Sequence, residues 1–297
     1  MTKTHFVSLD HRALLTITGD DRKTFLQGLV SNDVTKVDPA HALYGAFLTP
    51  QGKFLHEFFL AEQTDCLLLE TETERRADFV KRLTMYKLRS KISIAAADHL
   101  RSFAIVGPDA ASAVGLAAEV GAAGPFAGGL ALVDPRLPEA GVRAWLPEGA
   151  ETALAAAGLS PADKSLWDAL RISLGLPDGS RDMVPDKAIL LENGFDELHG
   201  VDWKKGCYLG QELTARTRYR GLIKKRLLPV DIAGPAPESG TPIFLGETEA
   251  GEMRSHSGSV GLALIRIEAF DKLGESGDNL QAGPSQLTPH KPAWAVF

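Results

Sequence analysis

From Gly221 to its last residue the chain breaks into short apolar runs. These are Leu227 to Ile232, Ile243 to Leu245, Ser259 to Ile267 and Ala293 to Phe297, set apart by turn clusters such as Gly234-Pro235-Ala236-Pro237 and Gly240-Thr241-Pro242. Proline and glycine at this density leave no room for long helices, so the region is expected to form a small β-barrel or sandwich. The change of character at Gly221 divides the chain into a body, 1–220, and a C-terminal β-domain, 221–297.

The body alternates strand-like and helix-like segments, which makes the fold class α+β. Ala13 to Thr18 reads as a strand, Gly19-Asp20-Asp21 as a turn, and Phe25, Leu26 and Leu29 as the buried stripe of a helix that Ser31-Asn32-Asp33 ends. Leu43 to Leu48 and Phe54 to Leu60 read as antiparallel strands joined by Thr49-Pro50-Gln51-Gly52-Lys53, with a third strand at Cys66 to Glu70. A helix capped by Thr71 or Thr73 runs to Lys87, carrying Phe79, Val80, Leu83 and Tyr86 at helical spacing, before a strand at Ile92 to Ala95. This makes Cys66 a core residue.

A similar succession starts near Arg101: a strand at Phe103 to Val106, a helix from Gly107 to Val120, a loop from Gly121 to Gly129, and paired strands at Leu130 to Val133 and Gly141 to Leu146. The echo of Ala13 to Leu29 suggests an internal repeat. Helices at Glu151 to Ala157 and Asp163 to Leu174 follow, the second carrying Trp167. Next comes an irregular stretch, Leu176 to Leu190, whose Asp178, Arg181 and Asp182 make it a candidate functional loop.

Among 297 residues, 44% are hydrophobic and 24% charged, enough apolar content for a substantial core. Two cysteines in dissimilar settings, Cys66 and Cys207, form neither a disulfide framework nor a complete metal site, which fits a reducing compartment. The first residues carry no signal core or arginine-rich transit pattern and no stretch is a membrane span, so a cytoplasmic protein without membrane contact is expected.

Chemistry concentrates at Lys204-Lys205-Gly206-Cys207-Tyr208-Leu209-Gly210-Gln211-Glu212. Lysines and glycines around a cysteine, ahead of a helix start, favour a reactive or metal-binding thiolate over an inert core thiol. From Lys204 to Arg226 eight cations face one carboxylate, Glu212, in a chain whose net charge is −6. The reversal points to an anionic ligand or an acidic partner, or else to a solvated face. No RNA-binding motif accompanies it, and no direct nucleic-acid contact is expected.

Lys205-Gly206-Cys207-Tyr208-x-Gly210-Gln211-Glu212, followed by Ala215-Arg216 and Arg220-Gly221, resembles the signature of the YgfZ-type folate-binding proteins, relatives of the glycine-cleavage aminomethyltransferase. The resemblance extends through Ser31-Asn32-Asp33-Val34, Leu48-Thr49-Pro50-Gln51-Gly52-Lys53, Tyr86-Lys87-Leu88-Arg89 and Trp167-x-x-Leu170-Arg171-Ile172-x-x-Gly175, nearly the whole chain. It implies a folate-binding body of ferredoxin-like repeats with a C-terminal barrel. It also implies a role in iron–sulfur cluster assembly or repair, indirect support of tRNA modification, tetrahydrofolate as ligand, and iron–sulfur carrier or client proteins as partners.

Carried over by position, Cys207 matches the family's functional cysteine and Trp167 an aromatic of the folate pocket, while Arg12 stands where some members have a second tryptophan. Arg12, Glu57, Lys205, Tyr208 and Trp167 are the candidate cofactor-binding residues, and Cys207 is the candidate nucleophile or single ligand to a shared iron–sulfur cluster. A Gly-Gly-x-x-Asp-Asp stretch of the transferases is replaced here by Gly52-Lys53-Phe54-Leu55-His56-Glu57. Aminomethyl transfer by Glu57 or His56 is therefore the alternative, and the non-enzyme reading leads.

Overall fold

The structure, a computed structural model, describes residues 3–276 and 279–297. A strand that the sequence reading passes over, β1 (His5–Ser8), comes first. Then follow β2 (Arg12–Thr18), α1 (Arg22–Gln27), β3 (Leu43–Leu48), β4 (Phe54–Gln63), β5 (Cys66–Glu72), α2 (Arg76–Lys87) and β6 (Ser93–Ala96). The same order recurs in β7 (Leu100–Val106), α3 (Ala110–Ala113), β8 (Ala123–Phe126), β9 (Gly129–Val133), β10 (Val142–Pro147), α4 (Glu151–Ala156) and β11 (Ser160–Pro161).

Sheet topology makes the repeat explicit. The first sheet runs β3-β4-β5-β2-β6 and the second β8-β9-β10-β7-β1-β11, the same order with β1 inserted. β1 is antiparallel to β7 and parallel to β11. Each sheet buries one face under its helices. Leu15, Ile17, Leu67 and Leu69 pack with Phe25, Leu26, Phe79 and Leu83 in the first, and Phe103, Ile105, Val142 and Ala144 with Ala110 and Leu154 in the second. Because strand side chains alternate, the intervening residues of β2, β5, β7 and β10 point the other way.

Other parts of the body also differ from the sequence expectation. The helix expected from Gly107 to Val120 shrinks to α3, because Gly115 adopts φ +77° and Leu116 N–H bonds back to the Ala111 carbonyl, a helix-ending turn. The expected loop at Gly121 to Gly129 contains β8, paired with β9 across Ala127 and Gly128, both at positive φ as a type I′ hairpin requires. Alanine at the first turn position hides that signal. Cys66 is half-buried, its Sγ donating to the Gln63 carbonyl, and is not a core residue.

Beyond the repeats lie α5 (Lys164–Ser173), 3-10 turns at Gly179–Arg181 and Leu190–Asn193, and α6 (Gln211–Tyr219). The C-terminal region comprises β12 (Lys225–Ala233), β13 (Pro242–Leu245), β14 (Thr248–Ser257), β15 (Val260–Arg266), α7 (Ile267–Ser276), β16 (Leu280–Ala282) and β17 (Ser285–Pro289). Its strands close a barrel in the order β12-β15-β14-β13-β16-β17 around Leu228, Val230, Ile243, Met253, Ile265, Leu280 and Leu287. Ala293 to Phe297 adds no strand; the Trp294 indole instead donates to the Leu174 carbonyl.

The chain divides into two compact units. One comprises Met1–Leu48, Leu55–Trp167 and Leu198–Leu209, and the other Thr49–Phe54, Asp168–Glu197 and Gly210–Phe297. In the second, the loop flagged for Asp178, Arg181 and Asp182 is held by ion pairs. Arg171 of α5, fully buried, bonds Asp168 (2.9 Å), Asp182 (2.8 Å) and Ser255 Oγ (2.8 Å), while Arg181 bonds Asp168 and Asp178. Those carboxylates are spent on the fold.

Also in that unit, the turn from Thr49 to Lys53 closes through Gly52 N–H to the Thr49 carbonyl, with Gly52 at φ +81°. A Cβ there would lie 2.6 Å from both the Gly210 carbonyl oxygen and the Leu213 Cβ. Gly52→Ala should therefore cost at least ~1–2 kcal/mol. In thermal denaturation that is a melting temperature lowered by several degrees, whereas Gly206→Ala, with nothing within 4 Å of the added methyl, leaves it unchanged.

Candidate functional site

Two places in the first unit gather the residues singled out from the sequence. One lies between the sheets, where the polar sides of β2, β4, β5, β7 and β10 meet. Glu70 of β5 is fully buried and receives four donors: Arg12 Nε (3.0 Å), Arg143 Nη1, Ser102 Oγ (2.7 Å) and Trp145 Nε1. Arg12 also reaches Glu57 Oε1 (2.9 Å), whose other oxygen accepts from the Tyr44 hydroxyl. Arg143 and Arg136 share Asp134, at 3.3 and 2.8 Å. Arg143 lies 3.6 Å from the centre of the Phe59 ring and 5.4 Å from that of Trp167.

This cluster balances three guanidiniums, Arg12, Arg136 and Arg143, against three carboxylates, Glu57, Glu70 and Asp134. Burial pushes the Glu70 carboxyl up, but Arg143, Arg12 and the Ser102 and Trp145 hydrogen bonds outweigh it and hold the group below its ordinary range. Asp134 is likewise raised by burial, then brought below normal by Arg136 and Arg143. Burial and the neighbouring Glu57 carboxylate push the Tyr44 phenol well above its usual value, keeping it a donor.

Arg12, Glu57 and Trp167, expected around a folate, do come together here. Their contacts do not fit that ligand. The side chains of Arg12 and Glu57 are each 1% exposed and bonded to one another, and Trp167 is 2% exposed with the Arg143 cation beside its ring. A pterin would have to break ion pairs to reach them. His56 and Glu57, the alternative acid/base pair, point to opposite sides of β4. His56 stacks on Phe79 (4.5 Å) and bonds Asp78 (2.9 Å) on the α2 side, and burial, reinforced by Arg75, pushes it down to about 4.

The second place carries Cys207. Asp202 begins the turn: its N–H bonds the Ser31 carbonyl, and its Oδ1 accepts the backbone N–H groups of Lys204 (2.7 Å) and Lys205 (3.1 Å). Ser31 Oγ donates to the Gly200 carbonyl, and the Asn32 amide donates to the carbonyls of Tyr44 and His199. Leu209 N–H bonds the Gly28 carbonyl at the end of α1. The Ser31-Asn32 motif is thus the seat of the cysteine loop, a pairing across about 170 positions that local sequence cannot announce.

Cys207 is exposed. Lys205 and Tyr208, expected to bind a cofactor, are buried at 8% and 7%, the ammonium turned onto the carbonyls of Val30 and Asn32. Only Lys204 of the two lysines stays exposed. Among the described residues, no three His, Cys, Asp or Glu side chains gather as a metal-ligand set. The sequence reading missed Tyr44, Glu70, Ser102, Asp134, Arg136, Arg143 and Trp145. Isolated charges inside apolar strands, as in Leu67-Leu68-Leu69-Glu70 and Val142-Arg143-Ala144-Trp145, are the signal that could have found them.

Removing one partner from such a cluster leaves a buried charge uncompensated, so Glu70→Gln should cost about 3–5 kcal/mol in urea denaturation. Glu70 has a depressed folded pKa. Its stabilisation is complete above the ordinary carboxylate value of about 4 and is lost as pH falls through the depressed one. The variant should accordingly show a shallower fall in stability with acid than the parent.

Residues 224–297 match the CAF17 C-terminal β-barrel domain family. Glycine cleavage system aminomethyltransferase T from Bartonella henselae superposes with a TM-score of 0.78 over 99% of this chain and 87% of that one. At 16% identity it shows the fold alone. Among curated relatives, the mitochondrial iron–sulfur cluster assembly factor IBA57 of Homo sapiens is 34% identical over 282 residues, 88% of this chain and 77% of the relative. The Coccidioides immitis homologue is 30% identical over 329 residues, covering 94% and 75%. The resemblance to YgfZ-type proteins is thereby narrowed to another branch of the superfamily. The cytoplasmic expectation is overturned, since these relatives are named mitochondrial proteins. The chain belongs to the family of IBA57 iron–sulfur cluster assembly factors, on an aminomethyltransferase fold with a closed C-terminal barrel.

Proposed function

We propose that this protein assists iron–sulfur cluster assembly by offering Cys207 as one thiolate to a cluster shared with a second protein. The observation that carries the reading is the presentation of Cys207. An exposed thiol sits on a loop anchored by several hydrogen bonds, next to a glycine whose missing side chain leaves open space. Iron–sulfur clusters are held by several thiolates, and Cys66, the other cysteine, is half-buried and bonded to Gln63. The remaining ligands therefore come from a carrier or client protein, in keeping with relatives named as assembly factors. The cluster is cargo in this reading, and any effect on tRNA modification would come through client enzymes.

Tetrahydrofolate is given no step, because Arg12, Glu57 and Trp167 are committed to the ionic cluster. Nor is aminomethyl transfer, since Glu57 is held by Arg12 and Tyr44 and His56 faces away from it.

Cys207→Ala should fold normally and fail to restore iron–sulfur enzyme activities in cells lacking the parent protein. Full restoration would sink the thiolate role. Titrating tetrahydrofolate into the pure protein under anaerobic conditions should produce no saturable quenching of tryptophan fluorescence and no protection of Cys207 from alkylation. Saturable quenching with thiol protection would instead place a folate beside the cysteine.

A further inference from the structure

In the run Lys205-Gly206-Cys207-Tyr208 the side chains alternate inward and outward in pairs: Lys205 and Tyr208 are buried, Gly206 and Cys207 exposed. A lysine is an unusual residue to bury. Here its ammonium donates to two carbonyl oxygens, Val30 O and Asn32 O, both at 2.6 Å, and lies 5.1 Å from the centre of the Tyr208 ring. Its donors are thus taken by two backbone acceptors and an aromatic face. Among the described residues no carboxylate lies within ion-pair distance of it.

The two carbonyls lie in the irregular stretch that follows α1 and its C-cap Gly28, outside the helix itself. The ammonium supplies donors to both of these carbonyls. We infer that Lys205 is a positioning residue: by binding the Val30 and Asn32 carbonyls and packing on Tyr208, it turns the motif so that Cys207 is thrust outward on a rigid loop. This inference rests on the thiolate reading of Cys207 and deepens it, giving the lysine of the motif a task other than contact with a ligand.

Chemistry selects lysine for this place. A methionine of similar length would fill the volume but leave the buried Val30 carbonyl without its donor, a cost of about 1–3 kcal/mol, and the half-buried Asn32 carbonyl without its own. The long stem also lets the charge be reached from a loop about 175 positions further along the chain.

The test uses the full chain with Cys66→Ser, so that a nitroxide attaches at Cys207 alone. With Lys205 present, the spin-label spectrum should show an immobilised component and the amides of residues 204–209 should exchange slowly. Lys205→Met should sharpen the spectrum and speed exchange of those amides about tenfold, while amides of the barrel are unaffected. Lys205→Arg, which keeps donors for both carbonyls, should recover much of the immobilisation. An unchanged label and unchanged exchange in Lys205→Met would overturn the inference. Should that variant fail to fold, Lys205→Gln, which retains an N–H donor, carries the same measurement. Loop order that depends on Lys205 alongside a fully active Cys207→Ala would defeat the cluster reading and leave the positioning role standing. The reverse pair of results would defeat only the positioning role.

Discussion

Glu70 and its four donors fix the architecture of the first unit. A carboxylate taken wholly out of water between two sheets is tolerable only if its lone pairs are filled and its charge matched, and each of those donors belongs to a different position along the chain. Arg12 comes from the first repeat, and Ser102, Arg143 and Trp145 from the second. Each sheet buries apolar residues under its own helices, an arrangement that a sheet and two helices reach by local packing. The ionic layer supplies what apolar packing lacks, a single register of one sheet against the other. Arg12, Glu57, Asp134 and Arg136 extend the same condition until the charges cancel.

Much of this order is written in the sequence. Leu43 to Leu48 carries its strand bounds without change, and the β-barrel is announced by its Gly/Pro turns. The echo between Ala13 to Leu29 and Phe103 to Val120 is a true repeat, visible as two sheets of matching strand order. Local propensity misleads where tertiary structure decides. The alanines after Gly107 are good helix formers, yet Gly115 ends the helix after one turn. β14 is largely polar, with two glutamates, two serines, an arginine and a histidine, and it becomes a strand because both neighbours in the barrel need a partner edge.

The candidate residues fared according to whether their surroundings were local. Cys207 stands where a cysteine flanked by lysine and glycine suggests, on an exposed turn. Arg12, Glu57 and Trp167 lie in one cluster, but their partners lie on strands far along the chain, and those partners determine what the group does. Lys205 looked like part of a positive field around the thiol and is instead folded beneath it. A cation in a motif can as well hold up the motif as meet a ligand, and only the acceptors around it distinguish the two.

β1 has a consequence for how the chain reaches this state. His5 to Ser8 is made first, yet its neighbours in the sheet are β7 and β11, which follow roughly a hundred residues and more behind it. The second repeat therefore cannot complete its sheet with its own strands, and the first repeat is spanned by a segment borrowed from ahead of it. The two halves descend to the eye as copies, but they are threaded together. An isolated fragment beginning after β1 would expose the unpaired edges of β7 and β11, and the pairing of that strand is a non-local contact of the kind that slows folding.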